Sequence, residues 1–226
     1  MSDLVAILGG TGQLGFGLAV RLAKAGVPVV IGSRDATRAQ DAAERVVGLV
    51  PGSDVRGADN VEASAAATRV VVIAVPFASQ ASTIKSIQES LTEQHIVLDA
   101  TVPLGPAIGG KPTQMVGVWQ GSAAQQAQSL VPSGVRVVSG LHTLAADLLT
   151  DLDHDLDQDT FVCGDRKADK AVVIELLAKI DGLRVVDAGR LDQSRIVEGL
   201  TAMLIGINIR YKTHAGLQVV GLPSTA

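Results

Sequence analysis

Residues 4–15 read Leu-Val-Ala-Ile-Leu-Gly-Gly-Thr-Gly-Gln-Leu-Gly, and the fold turns on this stretch. Five apolar residues, 4–8, run directly into Gly10-x-Gly12-x-x-Gly15. Between a strand and a helix, glycines at this spacing serve a tight turn, close approach of backbone to a pyrophosphate, and close packing of helix on strand. Leu14, Leu18 and Leu22 then recur at helical spacing, so a helix over about 14–25 follows the glycines. Its free N–H groups and positive dipole end would face the phosphates of a dinucleotide.

The second apolar run, 29–32, ends in Ser33-Arg34. A site for NAD usually carries an acidic side chain at this tip to bond the ribose 2′-hydroxyl. A hydroxyl and a guanidinium stand there instead, and Arg38 follows one helical turn later, able to face the same anion. Arginine makes bidentate, charge-assisted bonds to phosphate, so Ser33, Arg34 and Arg38 predict a 2′-phosphate and hence NADP(H). Asp35 could serve a ribose, but its place before a predicted helix at 37–47 suits an N-cap.

Working outward, apolar runs alternate with helical patterns: strands near 54–58, 70–75, 96–100 and 135–139, and helices over 77–91 and 123–130. This predicts an α/β fold, a Rossmann-type doubly wound parallel sheet with helices on both faces, over residues 1–139. A smaller C-terminal α/β domain over 140–226 should hold strands near 161–163 and 183–187, a helix over 168–180 and a long helix over 192–210. Composition agrees: of 226 residues, 47% are hydrophobic and 2% aromatic, so aliphatic side chains and 24 glycines do the packing. A net charge of −4 without a basic cluster argues against nucleic acid. The longest apolar run, 70–77, is too short to span a bilayer, and a strand at the very start leaves no room for a signal peptide, so a cytoplasmic protein is expected. The single cysteine, Cys163, reads as a small buried hydrophobe. Asp151, Asp153, Asp155, Asp157 and Asp159 lack the glycine and the glutamate of a calcium loop and read as a solvated acidic loop; no metal site is expected.

In an open parallel sheet, ligands sit beyond the carboxyl ends of the strands. Those ends supply Ser33-Arg34, Ala74-Val75-Pro76-Phe77, Ala100-Thr101-Val102-Pro103 and Ser139-Gly140-Leu141-His142-Thr143. The set is apolar with hydroxyls and one histidine. It has no paired carboxylates, no nucleophilic triad and no lysine. Such a cleft orients flat rings and is poor in proton donors. Hydride exchange between two ring coenzymes asks less of a protein than reduction of a small imine or ketone, because the coenzymes carry the reactivity. A non-catalytic NADP-sensing module is a further reading. His142 is either a polar partner of the second ring or a histidine that orients its loop. His95, His154 and His214 lie off the cleft, and Trp119 is expected to pack.

Further blocks carry a resemblance. They are Gly9 to Ala19 at the first turn, Ile31-Gly32-Ser33-Arg34, Val75-Pro76-Phe77, Gly140-Leu141-His142-Thr143, Val162-Cys163-Gly164-Asp165, Ile180-Asp181-Gly182-Leu183, Asp187-Ala188-Gly189, and Ser194-Arg195-Ile196-Val197-Glu198-Gly199-Leu200-Thr201. With these the chain resembles the F420:NADP oxidoreductases, which use the 8-hydroxy-5-deazaflavin coenzyme F420. It departs at Phe77, where Trp is frequent, and at Ala145, where Pro is expected. The resemblance implies that Thr11, Gly12, Gln13 and Leu14 hold the pyrophosphate, and that Phe77, Val102 and Ala146 lie along NADP(H). It implies a deazaflavin stacked on the nicotinamide, with His142, Thr143 and Leu144 beside it. The last helix, around Leu200, Met203 and Ile207, would close that pocket and contribute to a homodimer.

Overall fold

Val5–Leu8 (β1) forms the middle of the sheet because both of its faces are apolar and buried. In this computed structural model, which describes residues 3–222, Val5 and Ile7 enter one apolar layer and Ala6 and Leu8 the other. Such two-sided burial is what a parallel strand covered by helices requires. The first layer takes in Gln13–Lys24 (α1) and Ala36–Leu49 (α2). The second takes in Asn60–Ala66 (α3), Phe77–Ser86 (α4) and Ala123–Leu130 (α5).

The remaining strands are Val29–Ser33 (β2), Val55–Asp59 (β3), Val70–Ile73 (β4), Ile96–Asp99 (β5), Arg136–Ser139 (β6), Gln158–Gly164 (β7) and Leu183–Asp187 (β8). Their order is β3-β2-β1-β4-β5-β6-β7-β8. The chain winds outward from β1 in both directions, so the switch point lies between β1 and β4, where a crevice opens at the strand ends.

The expected sheet is parallel only as far as β6. β7 pairs with β6 antiparallel, through Val138 with Gly164 and Ser139 with Cys163, and β8 runs parallel to β7. One sheet thus continues past Ser139, and the segment from Gly140 onward extends it. Lys167–Leu177 (α6) joins the first layer through Val173 and Leu177. Ser194–Tyr211 (α7) is the last helix among the described residues.

Arg21 ties the two halves together. It is buried on α1, and its guanidinium donates to the carbonyls of Leu149 (2.9 Å), Leu148 (3.0 Å), His154 (3.0 Å) and Asp151. These carbonyls belong to the 3-10 turn Ala146–Thr150 and the loop after it, which the sequence reading did not foresee as structured. Two further expectations are corrected. Trp119 does not pack; it is 99% exposed. Asp159 does not belong to the solvated acidic run. It is buried, and Arg184 clamps it at 2.8 and 2.7 Å, which holds its carboxyl below the usual range. Cys163 is buried as expected, its thiol pushed up to about 11 by desolvation. Among the described residues no helix is long and apolar enough to cross a membrane, and no cluster of three His, Cys, Asp or Glu is placed to hold a metal ion.

Candidate active site

The turn after β1 is made by Gly9, one position before the motif's first glycine. Gly9 has φ +85°, and a Cβ there would stand 2.7 Å from the Ala74 carbonyl oxygen. Gly15 provides the close packing, since a Cβ would lie 2.5 Å from the Gly9 oxygen. Between them Gly10 is buried, and Gly12 caps α1 with no side-chain acceptor and no acidic residue in the first turn. The N–H groups that open α1 are therefore left for an anion. The start of α2 differs: Asp35 accepts from Thr37 N (2.9 Å) and Arg38 N (3.4 Å), the capping role expected of it.

A cleft of about 400 Å³ lies across the switch point. It gathers Thr11 and Gly12, Ser33, Arg34 and Arg38, and Val75 and Pro76. Arg34 and Arg38 are exposed, and among the described residues neither has a carboxylate within 4 Å, whereas Arg136, Arg166, Arg184 and Arg190 do. Two unpaired guanidinia and a hydroxyl on one cleft fit a phosphate monoester. The same cleft holds residues the sequence reading missed. Asn60, the first residue of α3, is 7% exposed with no partner for its Oδ1, and Ser79 and Thr83 of α4 line the far wall. The reading passed over the end of β3, although the rule that ligands sit beyond strand ends would have led to Asn60.

A second cleft of about 490 Å³ borders the other side of the glycine loop, between α1, α2 and the 3-10 turn. Gln13 and Ala146 line it, and the Gln13 amide donates to Asp147 at 3.2 Å. Leu14 is half-buried against the first apolar layer. Phe77 opens α4 and Val102 follows β5, both half-buried.

Beyond β6, Leu141 takes the left-handed conformation (φ +72°), rare for a branched residue and found where a site demands it. His142 follows, 3% exposed, its carbonyl accepting from Thr201 at 2.7 Å. Its ring faces the Thr101 backbone without a hydrogen bond, and neither nitrogen has a partner among the described residues. Burial lowers its pKa to about 4, so the ring is neutral at physiological pH. Thr143 turns inward, its hydroxyl donating to the Asp159 carbonyl at 2.7 Å, and Leu144 packs against the first layer. Neither cleft on the glycine loop is lined by His142, Thr143 or Leu144. On α7, Leu200, Met203 and Ile207 are roughly 100–160° round the helix from Thr201. That stripe turns away from His142, with Met203 46% exposed.

Two buried acids line neither cleft. Asp99, at the end of β5, is fully buried, and desolvation raises it to about 8 despite hydrogen bonds from Gln80 and Thr101. Glu198 of α7 is raised to about 7, again chiefly by desolvation. Apart from Arg34, Arg38 and the helix-capping Asp35, the cleft offers only neutral groups that orient.

The family described as NADP oxidoreductase, coenzyme F420-dependent, matches residues 4–103. A relative from Methanothermobacter thermautotrophicus, named F420-dependent NADP reductase, is 40% identical over 223 residues, spanning 97% of this chain and 95% of its own. A relative of the same name from Methanocaldococcus jannaschii is 40% identical, spanning 96% and 98%. A crystal structure from Arthrobacter sp. FB24, proposed to be an F420-dependent NADP-reductase, superposes with a TM-score of 0.79 at 29% identity, covering 94% and 96% of the two chains.

Proposed function

The chain belongs to the family of coenzyme F420-dependent NADP oxidoreductases, and we propose how its residues divide that work. The protein is an oxidoreductase of NADP(H) and coenzyme F420. When both are bound, hydride passes between C4 of the nicotinamide and C5 of the deazaflavin. The observation that carries the coenzyme assignment is the placing of Arg34 and Arg38, without acidic partners among the described residues, on the cleft that the glycine loop opens. Ser33, Arg34 and Arg38 grip the 2′-phosphate. Gly10 to Gly15, with Thr11, Gly12, Gln13 and Leu14 foremost, cradle the pyrophosphate, and Asn60 supplies the adenosine end with an acceptor. Val75, Pro76, Phe77, Val102 and Ala146 flank the coenzyme toward its nicotinamide.

The labour divides at Ser139. Residues 1–139 carry NADP(H), and 140–226 cover the acceptor, with neutral His142 orienting the second ring rather than moving a proton. Leu200, Met203 and Ile207, which face away from His142, belong to a contact with a second copy, and the enzyme is a homodimer. The reducing cytoplasm is its setting, consistent with one buried cysteine.

Mixing the protein with NADPH and coenzyme F420 should bleach the absorbance of the oxidised deazaflavin; no change between pH 5 and 9 would overturn the reading. Arg34→Ala removes a bond worth roughly 1.5–3 kcal/mol, raising the NADPH constant roughly ten- to a hundredfold and sparing that of F420. Equal effects on both constants would contradict the phosphate assignment.

A further inference from the structure

α7 is bound to the rest of the molecule by polar ties on one stripe. Ser194 donates to Ser139 Oγ (2.9 Å), Glu198 accepts from the amides of Ala123 (3.0 Å) and Ala124 (3.1 Å), and Thr201 donates to the His142 carbonyl. Positions 194, 198 and 201 follow the i, i+4, i+7 spacing of a single helix face. Ser194 and Glu198 are wholly buried.

A carboxylate is costly at such a position unless it is hydrogen-bonded or paired. Among the described residues Glu198 has no cation within 4 Å; its partners are the opening amides and the positive dipole end of α5. An aliphatic side chain would fill the space but could slide. Two bonds to successive amides fix position along and across the helix.

The partner residue extends the pattern. Ala123 is held by Glu198 at its N–H and by the Gln80 amide at its carbonyl (2.9 Å). Gln80 also donates to Asp99 (3.1 Å) and Thr101 (2.7 Å), and the Thr101 backbone faces the His142 ring. Thr101, Asp99, Gln80, Ala123, Glu198, α7, Thr201 and His142 therefore form a circuit from the end of β5 to the loop after β6, its closing step from His142 to Thr101 being an approach of ring to backbone rather than a hydrogen bond. These are the two segments between which the acceptor ring is placed.

We propose that Glu198 is a positioning residue, setting the register of α7 against the NADP(H)-binding half and thereby the width of the acceptor seat. The proposal rests on the acceptor lying beside His142. Glu198→Gln keeps the volume but gives one acceptor where two amides need one each. Losing one of the two bonds should raise the acceptor KM about tenfold, and speed amide exchange at Ala123 and Ala124 by a similar factor. NADPH binding in the absence of acceptor, read by nicotinamide fluorescence, should stay within about twofold, since no coenzyme contact is touched.

Gln80→Met cuts the circuit on its other side and should give the same split if Glu198→Gln does not fold. An unchanged acceptor KM in a folded variant, or an NADPH constant that rises as much as the acceptor KM, overturns the proposal. Wild-type protein that binds NADPH but leaves F420 oxidised would defeat the functional reading instead. The exchange rates at Ala123 and Ala124 would still report on the strut.

Discussion

Asp35 is where the choice of dinucleotide could be misread. An acid beside Arg34 invites assignment to a ribose, yet its Oδ1 is taken by two amides of α2. Asp35→Asn, a good cap, should therefore leave both melting temperature and NADPH-over-NADH preference unchanged. Asp35→Ala should cost about 1 kcal/mol of stability with the same preference. A change in preference with either variant, in coenzyme titrations, would return Asp35 to the ribose. His142 gives a prediction with a sign. Its folded pKa of about 4 lies below the ordinary 6.5, so between these values the unfolded chain binds the extra proton. Its contribution is present above pH 6.5 and lost as pH falls toward 4. His142→Gln should flatten the acid limb of the melting curve in that window; an unchanged limb would mean that the ring is not buried neutral. Ser33, Arg34 and Arg38 were legible because they are neighbours on one strand tip and one helical turn. Asn60 was not, because a single amide has no spacing to betray it. The direction of the stripe holding Leu200, Met203 and Ile207 was not legible, because it depends on the tie from Ser194 to Ser139, 55 residues away.

At the scale of elements, alternation of apolar runs and helical patterns made β1 to β6 and their helices readable, since each obeys its own local period. The antiparallel β7 was not readable, because strand direction leaves no mark on the sequence of the strand itself. The route into β7 depends on Arg21, a long-range anchor that looks like an ordinary helix cation. Arg21→Met would strand several buried carbonyls and should destabilise the 146–154 segment by ~2–4 kcal/mol. Hydrogen exchange there should rise well before exchange in β1; a uniform rise would mean a global rather than a local role. The end of β5 makes the opposite pH prediction to His142. Asp99 is raised to about 8 from an ordinary 3.8, so the native state holds a proton the unfolded chain has released. Stability on this account falls as pH climbs through that window, and Glu198, raised to about 7, adds the same sign. Asp99→Asn, which keeps a neutral group beside Gln80, should melt higher than wild type by a margin that widens from pH 6 to 8. Parallel curves would show that Asp99 is ionised in the fold.

The whole molecule presents an apolar face that none of the described residues covers. On α7, Ile196, Leu200, Met203, Ile207 and Tyr211 follow helical spacing along the side away from the buried ties, and Ile196, Met203 and Tyr211 are exposed. The loop from Gly105 onward adds exposed Ile108 and Met115, and its Thr113 methyl lies 3.7 Å from where a Cβ of Gly206 would stand. One helix stripe falls short of the roughly 1,200–2,000 Å² that a specific interface buries, and the loop beside Gly206 would add to it. A two-fold pairing that sets α7 against its copy would cover both at once, and by symmetry each patch would meet itself or its neighbour. The seat of the acceptor, tied to the opposite side of the same helix, would then gain rigidity from assembly without lending residues across the interface. Sedimentation should accordingly give twice the 23.2 kDa of one chain. Met203→Glu combined with Ile207→Glu should give the single-chain mass, because burying unpaired charge at the centre of an apolar contact costs more than such a contact returns. The monomeric variant should keep its NADPH constant, since neither position lines a cleft on the glycine loop, and should lose acceptor affinity as α7 loosens. A wild-type monomer, or a double variant that still pairs, would remove this face from the assembly and leave its exposed aliphatic side chains without a role.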